Sequence, residues 1–286
     1  MTGAGGLTRF TSRATGDGTG LCAGACGGAA DLLLVVDAGN TNTVFGVYRG
    51  EELVESFRTS TEVERTADEY GATLLTLFAR AGLDPRAVGS VIVSSVVPPL
   101  NPTLCRLAET YFGHRPLLVE PGVRTGMPIR YDNPAEVGAD RIVNAVAARH
   151  LFGAPVVVVD FGTATTFDIV NAQGEYAGGI ISPGILISAE ALFAHASRLY
   201  RVDVRAPEQL VGRNTAAAMQ AGIYFGYVGL VDGILERLKT EMPDLEQVVA
   251  TGGQAEMIAS GSRHIRRVEP RLTLIGLRLI HALNRG

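Results

Sequence analysis

The sequence predicts an α/β protein built as two similar domains that face each other across a cleft. From Asp31 onward, short β-rich runs alternate with helical patterns. The chain has 286 residues, 47% hydrophobic and 19% charged, which suits about two domains of roughly 100–200 residues each. One hairpin pattern also occurs twice, as "LLLVVDAGNTNTVFGVYRG" (32–50) and "VVVVDFGTATTFDIV" (156–170). Each copy runs from an apolar strand into an Asp, any residue and a Gly, then through a Thr-rich turn into a second apolar strand. Asp160 stands in the place of Asp37 and Gly162 in that of Gly39. Two like-folded domains, 31–150 and 151–286, would each offer one such hairpin to a common ligand.

Taken in order, residues 1–30 are rich in Gly, Ala, Thr and Ser without apolar periodicity, and read as a disordered leader. A misassigned translation start or an organellar transit segment has the same composition. Strands are expected at 32–37, 43–49, 52–58, 90–96, 116–119, 155–160, 165–171 and 247–251. Helices are expected at 66–82, 101–112 and 134–152, the last opened by Asn133 as cap and Pro134 at the first position. Further helices follow Ser188, where Ala189, Leu192, Phe193 and Ala196 recur at helical spacing.

The repeated hairpin has a chemistry of its own. Gly lets the backbone approach a phosphate, and successive N–H groups with Thr or Asn side chains donate to its oxygens. The Asp at the strand end offers a hard oxygen to hydrated Mg²⁺. One copy alone reads equally well as a plain β-hairpin turn. Two copies in one chain favour a shared phosphate ligand.

Composition excludes several other functions. A net charge of −4 with no basic stripe does not suit nucleic acid. No apolar run approaches the roughly 20 residues of a membrane span, and no membrane partner is expected. Cys22, Cys26 and Cys105 form neither a disulfide framework nor a zinc site, which fits a reducing, cytoplasmic setting. The one lysine, Lys239, follows no glycine loop, so neither a P-loop nor a protein-kinase β3 lysine exists. No G-x-S-x-G elbow occurs, and the five histidines lack metal-ligand spacing. Metal, arginine and backbone must neutralise any phosphate.

A third stretch, "MPIRYDNPAEVGADRIVNAVAARH" (127–150), places Ile142, Val143, Val146 and Ala147 on one helical face and Asp140, Arg141 and Asn144 on the other. An adjacent Asp and Arg usually mark a solvated surface. Here Gly138 and Ala139 remove side-chain bulk beside the acid, so a ligand can approach it.

Together "DAGNTNTVFG" (37–46), "SSVVPPL" (94–100), "GADR" (138–141), "DFGTATTFD" (160–168), "GGIISPG" (178–184), "GRNT" (212–215) and "TGG" (251–253) resemble type III pantothenate kinase. That family belongs to the acetate and sugar kinase/Hsp70/actin superfamily. The likeness runs from about Leu32 to Leu283 in the family's order. It implies two actin-like, ribonuclease H-like domains with a nucleotide cleft between them. It also implies ATP at Asp37, Ala38, Gly39, Asn40, Thr41, Asn42, Thr43, Val44 and Thr163, with Thr251 to Gly253 on the adenosine side. Pantothenate would meet Tyr131, Gly138, Ala139, Asp140, Arg141 and Thr215, Asp140 would accept the proton, and Asp160 would hold a monovalent cation, K⁺ or NH₄⁺. Mg²⁺ and a homodimer are implied too, the pocket borrowing residues across the interface. The sequence departs from the family at Tyr200, where proline is common, and at Arg213, a frequent lysine.

Paired hairpins specify ATP or polyphosphate better than the acceptor. A different acceptor kinase or a polyphosphate hydrolase of the superfamily, or a non-catalytic ATP-binding accessory protein, shares them. The intact Asp37, Asp140 and Asp160 favour an enzyme.

Overall fold

The computed structural model describes residues 32–195 and 199–285. The expected leader at 1–30 and the helical Ala196 lie outside the described residues. Two five-stranded mixed sheets share one topology. In the first, β1 (Leu32–Ala38), β2 (Asn42–Arg49) and β3 (Glu52–Ser60) form an antiparallel meander, and β4 (Val88–Ser95) and β5 (Leu117–Leu118) extend it in parallel beyond β1. In the second, β6 (Val156–Phe161), β7 (Ala164–Val170) and β8 (Tyr176–Pro183) repeat the meander, and β9 (Gln247–Gly252) and β10 (Arg267–Val268) the parallel extension. The duplicated hairpin is thus the visible part of a duplicated sheet.

The helices are α1 (Ala67–Arg80), α2 (Asn101–Phe112), α3 (Ala139–Phe152), α4 (Ile185–His195), α5 (Thr215–Glu241), α6 (Ala255–Ala259) and α7 (Leu272–Asn284). Their starts follow local chemistry. Thr66 and Glu69 close a reciprocal capping box on α1, and the Asn214 side chain accepts from Ala217 N at 2.9 Å to open α5.

Strand periodicity decides which helix meets which face. Leu32, Leu34 and Val36 of β1 pack with α1 and α2, whereas Leu33 and Val35 join Ile142, Val143 and Val146 of α3 and Leu274 and Leu277 of α7. On β6, Val156 and Val158 share that same middle core, and Val157 and Val159 pack outward with α4, α5 and α6. The central strands are apolar throughout because helices cover both faces. Continuing the two-residue period, Asp37 and Asp160 fall on the faces turned toward the middle layer of α3 and α7. The site is assembled there.

Three expectations are corrected. The helix expected at 134–152 begins only at Ala139: Asn133 and Pro134 do start a helical turn, but a one-turn 3₁₀ segment, Pro134–Glu136, after which Val137 and Gly138 run extended (ψ 122° and 140°). The strand β8 was not anticipated, because its run "YAGGIISP" carries two glycines and no alternation. No membrane-length segment was expected, yet α5, with 27 residues, is long and apolar enough by length and composition. Its inner face, with Val231 and Leu235, packs into the second sheet's core, and its buried Asp232 accepts from Ser262 Oγ at 2.6 Å and Arg263 N at 3.1 Å. Those contacts seat one face of α5 in the core of the second domain, and its other face lines a groove.

Candidate active site

The first hairpin is held in shape from outside. Gly39 N donates to Asn42 O at 3.0 Å, and Thr61, at the end of β3, donates through Oγ1 to Gly39 O at 2.7 Å while its hydroxyl bonds Thr43 Oγ1 at 2.8 Å. Ala38 and Thr43 are buried and Val44 half-buried, so Asn40, Thr41 and Asn42 form the exposed tip. In the second hairpin Gly162 N donates to Ala164 O at 3.0 Å and leaves Thr163 exposed. The hydroxyls of Thr41 and Thr163 are hydrogen-bonded at 3.0 Å. The two tips therefore meet.

Three carboxylates converge behind them. Burial, then the charges of Asp140 and Asp160, push Asp37 up to about 8, and the neighbouring Ser94 hydroxyl offsets only part of this. Burial, then Asp140 and Asp168, push Asp160 up to about 7. Asp140, in the first turn of α3, is also raised by burial, against the opposing pull of Arg141 N, which donates to its Oδ1 at 2.8 Å. Asp160 is fixed by a chain crossing three elements: Thr273 Oγ1 donates to Asn144 Oδ1 at 2.8 Å, and Asn144 Nδ2 to Asp160 Oδ2 at 3.0 Å. Gly252, at φ +91°, comes so close that a Cβ there would lie 2.5 Å from Asp160 Oδ1, which draws the "TGG" turn into the site.

Among the described residues, no three His, Cys, Asp or Glu side chains gather closely enough to enclose a metal by themselves.

The polar face of α3 is buried rather than solvated: Arg141 is 8% and Asn144 1% exposed. Arg141 Nε donates to the buried Asp168 Oδ1 at 2.7 Å, and the Tyr176 hydroxyl donates to the same oxygen at 2.8 Å. Tyr131 packs beside Tyr176 with ring centroids 6.4 Å apart, next to Gly178. Gly138 and Ala139 lead into Asp140 as expected, and a Cβ on Gly138 would sit 2.7 Å from its Oδ1. Thr215 is placed differently. It lines a groove of about 970 Å³ between α4 and α5, whose walls include none of Asp37, Asp140 or Asp160. Asp168, Tyr176, Thr61 and Thr273 were not foreseen as site residues. Asp168 lies inside a motif read from the sequence, but nothing in the residue order links it to Arg141.

Comparison with known proteins bears directly on this arrangement. The family profile described as type III pantothenate kinase matches residues 33–237. The chain belongs to the type III pantothenate kinase family. Curated relatives of that name match nearly end to end. The protein of Geobacter sulfurreducens is 57% identical over 89% of this chain and 100% of its own length, and that of Myxococcus xanthus 55% identical over 88% and 99%. Among solved structures, component A of the (R)-2-hydroxyglutaryl-CoA dehydratase of Acidaminococcus fermentans superposes with a TM-score of 0.52 at 12% identity, covering 87% of this chain and 95% of its own. A Campylobacter jejuni protein, whose description places it in the Baf family of transcriptional activators, gives 0.55 at 21% identity, covering 88% and 98%. At such identities the likeness is one of fold, the two-domain actin-like fold of this type III pantothenate kinase family member.

Proposed function

We propose that the chain transfers the γ-phosphoryl group of ATP to the primary hydroxyl of pantothenate, giving 4′-phosphopantothenate, the first step of coenzyme A biosynthesis. The observation that carries the reading is the convergence of Asp140 with Asp37 and Asp160 behind two touching hairpin tips. Triphosphate would lie against Asp37 to Val44 and Thr163, where backbone N–H groups and hydroxyls offer donors. Phosphoryl transfer passes through a loose, in-line transition state, so the protein's work is positioning and spreading charge. Asp140, whose basicity burial raises, suits the acceptance of the hydroxyl proton. Tyr131, Gly138, Ala139 and Arg141 would form the pantothenate pocket around it.

Asp37 would hold Mg²⁺ through water, and Asp160 a monovalent cation, K⁺ or NH₄⁺. Both ions would offset the charge of triphosphate and of the three acids. The homodimer is supported by the apolar groove between α4 and α5, flanked by the exposed Leu186, Ile187, Leu210 and Val211. Thr215 lines that groove, so in a dimer it would serve the pocket from the interface. Units at 31–150 and 151–286, suggested by the repeated sheet, would be tied together by α7 returning to the first sheet. A cytoplasmic location fits the metabolic substrates.

The test is ADP release by the purified chain with ATP, Mg²⁺, K⁺ and a panel of acceptors. Turnover with pantothenate well above all others supports the proposal. A preference for a sugar, acetate or water would move it to another kinase or a polyphosphate hydrolase, and ATP binding without any turnover would move it to an accessory protein.

A further inference from the structure

Asp168 is fully buried on β7, and three donors converge on its carboxylate: Arg141 Nε and the Tyr176 hydroxyl on Oδ1, at 2.7 and 2.8 Å, and Thr166 Oγ1 on Oδ2, at 3.1 Å. The guanidinium is therefore held by one edge only. Its Nη2 is buried and has no hydrogen-bond partner. A buried donor left unpaired is costly, and an oxygen that reached this nitrogen would satisfy it. Space for that nitrogen exists because residue 179 is glycine: a Cβ there would lie 2.1 Å from Nη2. The Tyr176 ring, its centroid 5.9 Å from the guanidinium carbon, and Tyr131 beside it complete the wall.

We infer that Asp168 is the positioning residue of the acceptor subsite, holding Arg141 by Nε so that the Nη edge is presented to an uncharged oxygen of the substrate, a hydroxyl or an amide carbonyl. The choice of an uncharged oxygen follows from the local charge. Asp168 already neutralises Arg141, and Asp140 adds a negative charge alongside, so a carboxylate brought to Nη2 would meet no net positive field. A neutral acceptor still gains the charge-assisted hydrogen bond. Tyr176 and Thr166 act through Asp168 by fixing its two oxygens.

This inference rests on pantothenate as the acceptor, and the experiment separates the two. Steady-state kinetics of the full-length protein are compared for Asp168→Asn, Arg141→Met, the double variant and Tyr176→Phe, with melting temperatures alongside. Asp168→Asn should raise KM for pantothenate by about 10- to 100-fold with KM for ATP unchanged, the scale of one charge-assisted contact. In the Arg141→Met background the same change should add less than about twofold, because the residue acts through Arg141. The double variant removes both buried charges, so it remains testable where Asp168→Asn alone folds poorly. Tyr176→Phe should raise KM for pantothenate about threefold, a smaller step of the same sign as expected for one neutral hydrogen bond. Pantothenol, which carries an alcohol in place of the carboxylate, should compete with pantothenate and lose affinity by the same factor in Asp168→Asn. Independent, multiplying effects of Asp168→Asn and Arg141→Met, or an Asp168→Asn that lowers only kcat, would overturn the positioning role. Pantothenol that binds the wild type and Asp168→Asn alike, while pantothenate does not, would overturn the uncharged contact. If the wild type leaves pantothenate unphosphorylated, the function and this inference fall together; if it phosphorylates pantothenate and Asp168→Asn keeps its KM, only the inference falls.

Discussion

Two buried carboxylates, Asp37 and Asp140, have opposite tasks in the proposed reaction. Asp37 lies at the end of β1, at the root of a hairpin whose tip offers donors, which is where the proposed reaction would put triphosphate and its metal. Asp37→Asn should lower turnover by at least about two decades, near 2.7 kcal/mol of barrier at about 1.36 kcal/mol per decade. Wild-type turnover at saturating Mg²⁺ would remove that role. Asp140→Asn keeps size but not basicity. It should leave ATP affinity nearly intact and lower pantothenate turnover by roughly 10²- to 10⁴-fold, the range of a positioned general base. Arg141→Lys should act on KM instead, since an ammonium reproduces neither the Nε bond to Asp168 nor the planar Nη edge. The reverse pattern, with KM changed by Asp140→Asn and kcat by Arg141→Lys, would exchange the two assignments. The sequence showed Asp37, Asp140 and Asp160 because each sits in a local pattern of strand end, glycine and helix start. It did not show Asp168 as Arg141's partner, because β7 and α3 come together only through the sheet.

At the scale of elements, the middle layer connects the two sheets, and α3 against α7 is its central contact. Gly276 on α7 lies so near α3 that a Cβ would fall 2.1 Å from the carbonyl oxygen of Val143. Gly276→Ala must therefore push the helices apart, at a cost of about 1–3 kcal/mol typical of overpacking. A lowered melting temperature is expected, and because Thr273 on the same helix holds Asn144 and hence Asp160, K⁺ activation should weaken as well. A variant with unchanged melting temperature and unchanged K⁺ response would show that the layer yields freely. The ends of α3 show how far local signals reach. Asn133 and Pro134 are a true start signal, but the turn they start stops after one 3₁₀ segment, and the helix that matters begins where Gly138 lets Asp140 turn inward.

For the whole molecule, the raised carboxylates make stability depend on pH and cations. Burial and the neighbouring carboxylates push Asp37 up to about 8 and Asp160 up to about 7, well above the ordinary carboxyl range. Between about pH 4 and those values the folded chain binds more protons than the unfolded one, so these groups make stability fall as pH rises through that window. The cation-free protein should melt higher near about pH 5.5 than near about pH 8.5, and added K⁺ should raise the melting temperature more at the higher pH, where the acids are charged. Activity should likewise rise when K⁺ or NH₄⁺ replaces Na⁺ at constant ionic strength, and Asp160→Ala should abolish the response. Equal rates in all three salts, or a melting temperature that K⁺ never moves, would remove the cation from Asp160.

By itself the sequence determined the α/β class, the repeated hairpin, the acids at the strand ends and the family, because each is written in residues close together along the chain. Strand alternation, a glycine after an Asp and a run of ordered motifs all have short range. Only the tertiary structure decided that α3 turns its polar face inward, that Asp168, itself bonded by Tyr176, holds Arg141, that Thr61 and Thr273 brace the hairpin and Asp160, and that Thr215 lines a separate groove. These contacts join residues on different strands and helices. Their partners are chosen by how layers stack and which strand face meets which helix, and no local pattern records that choice.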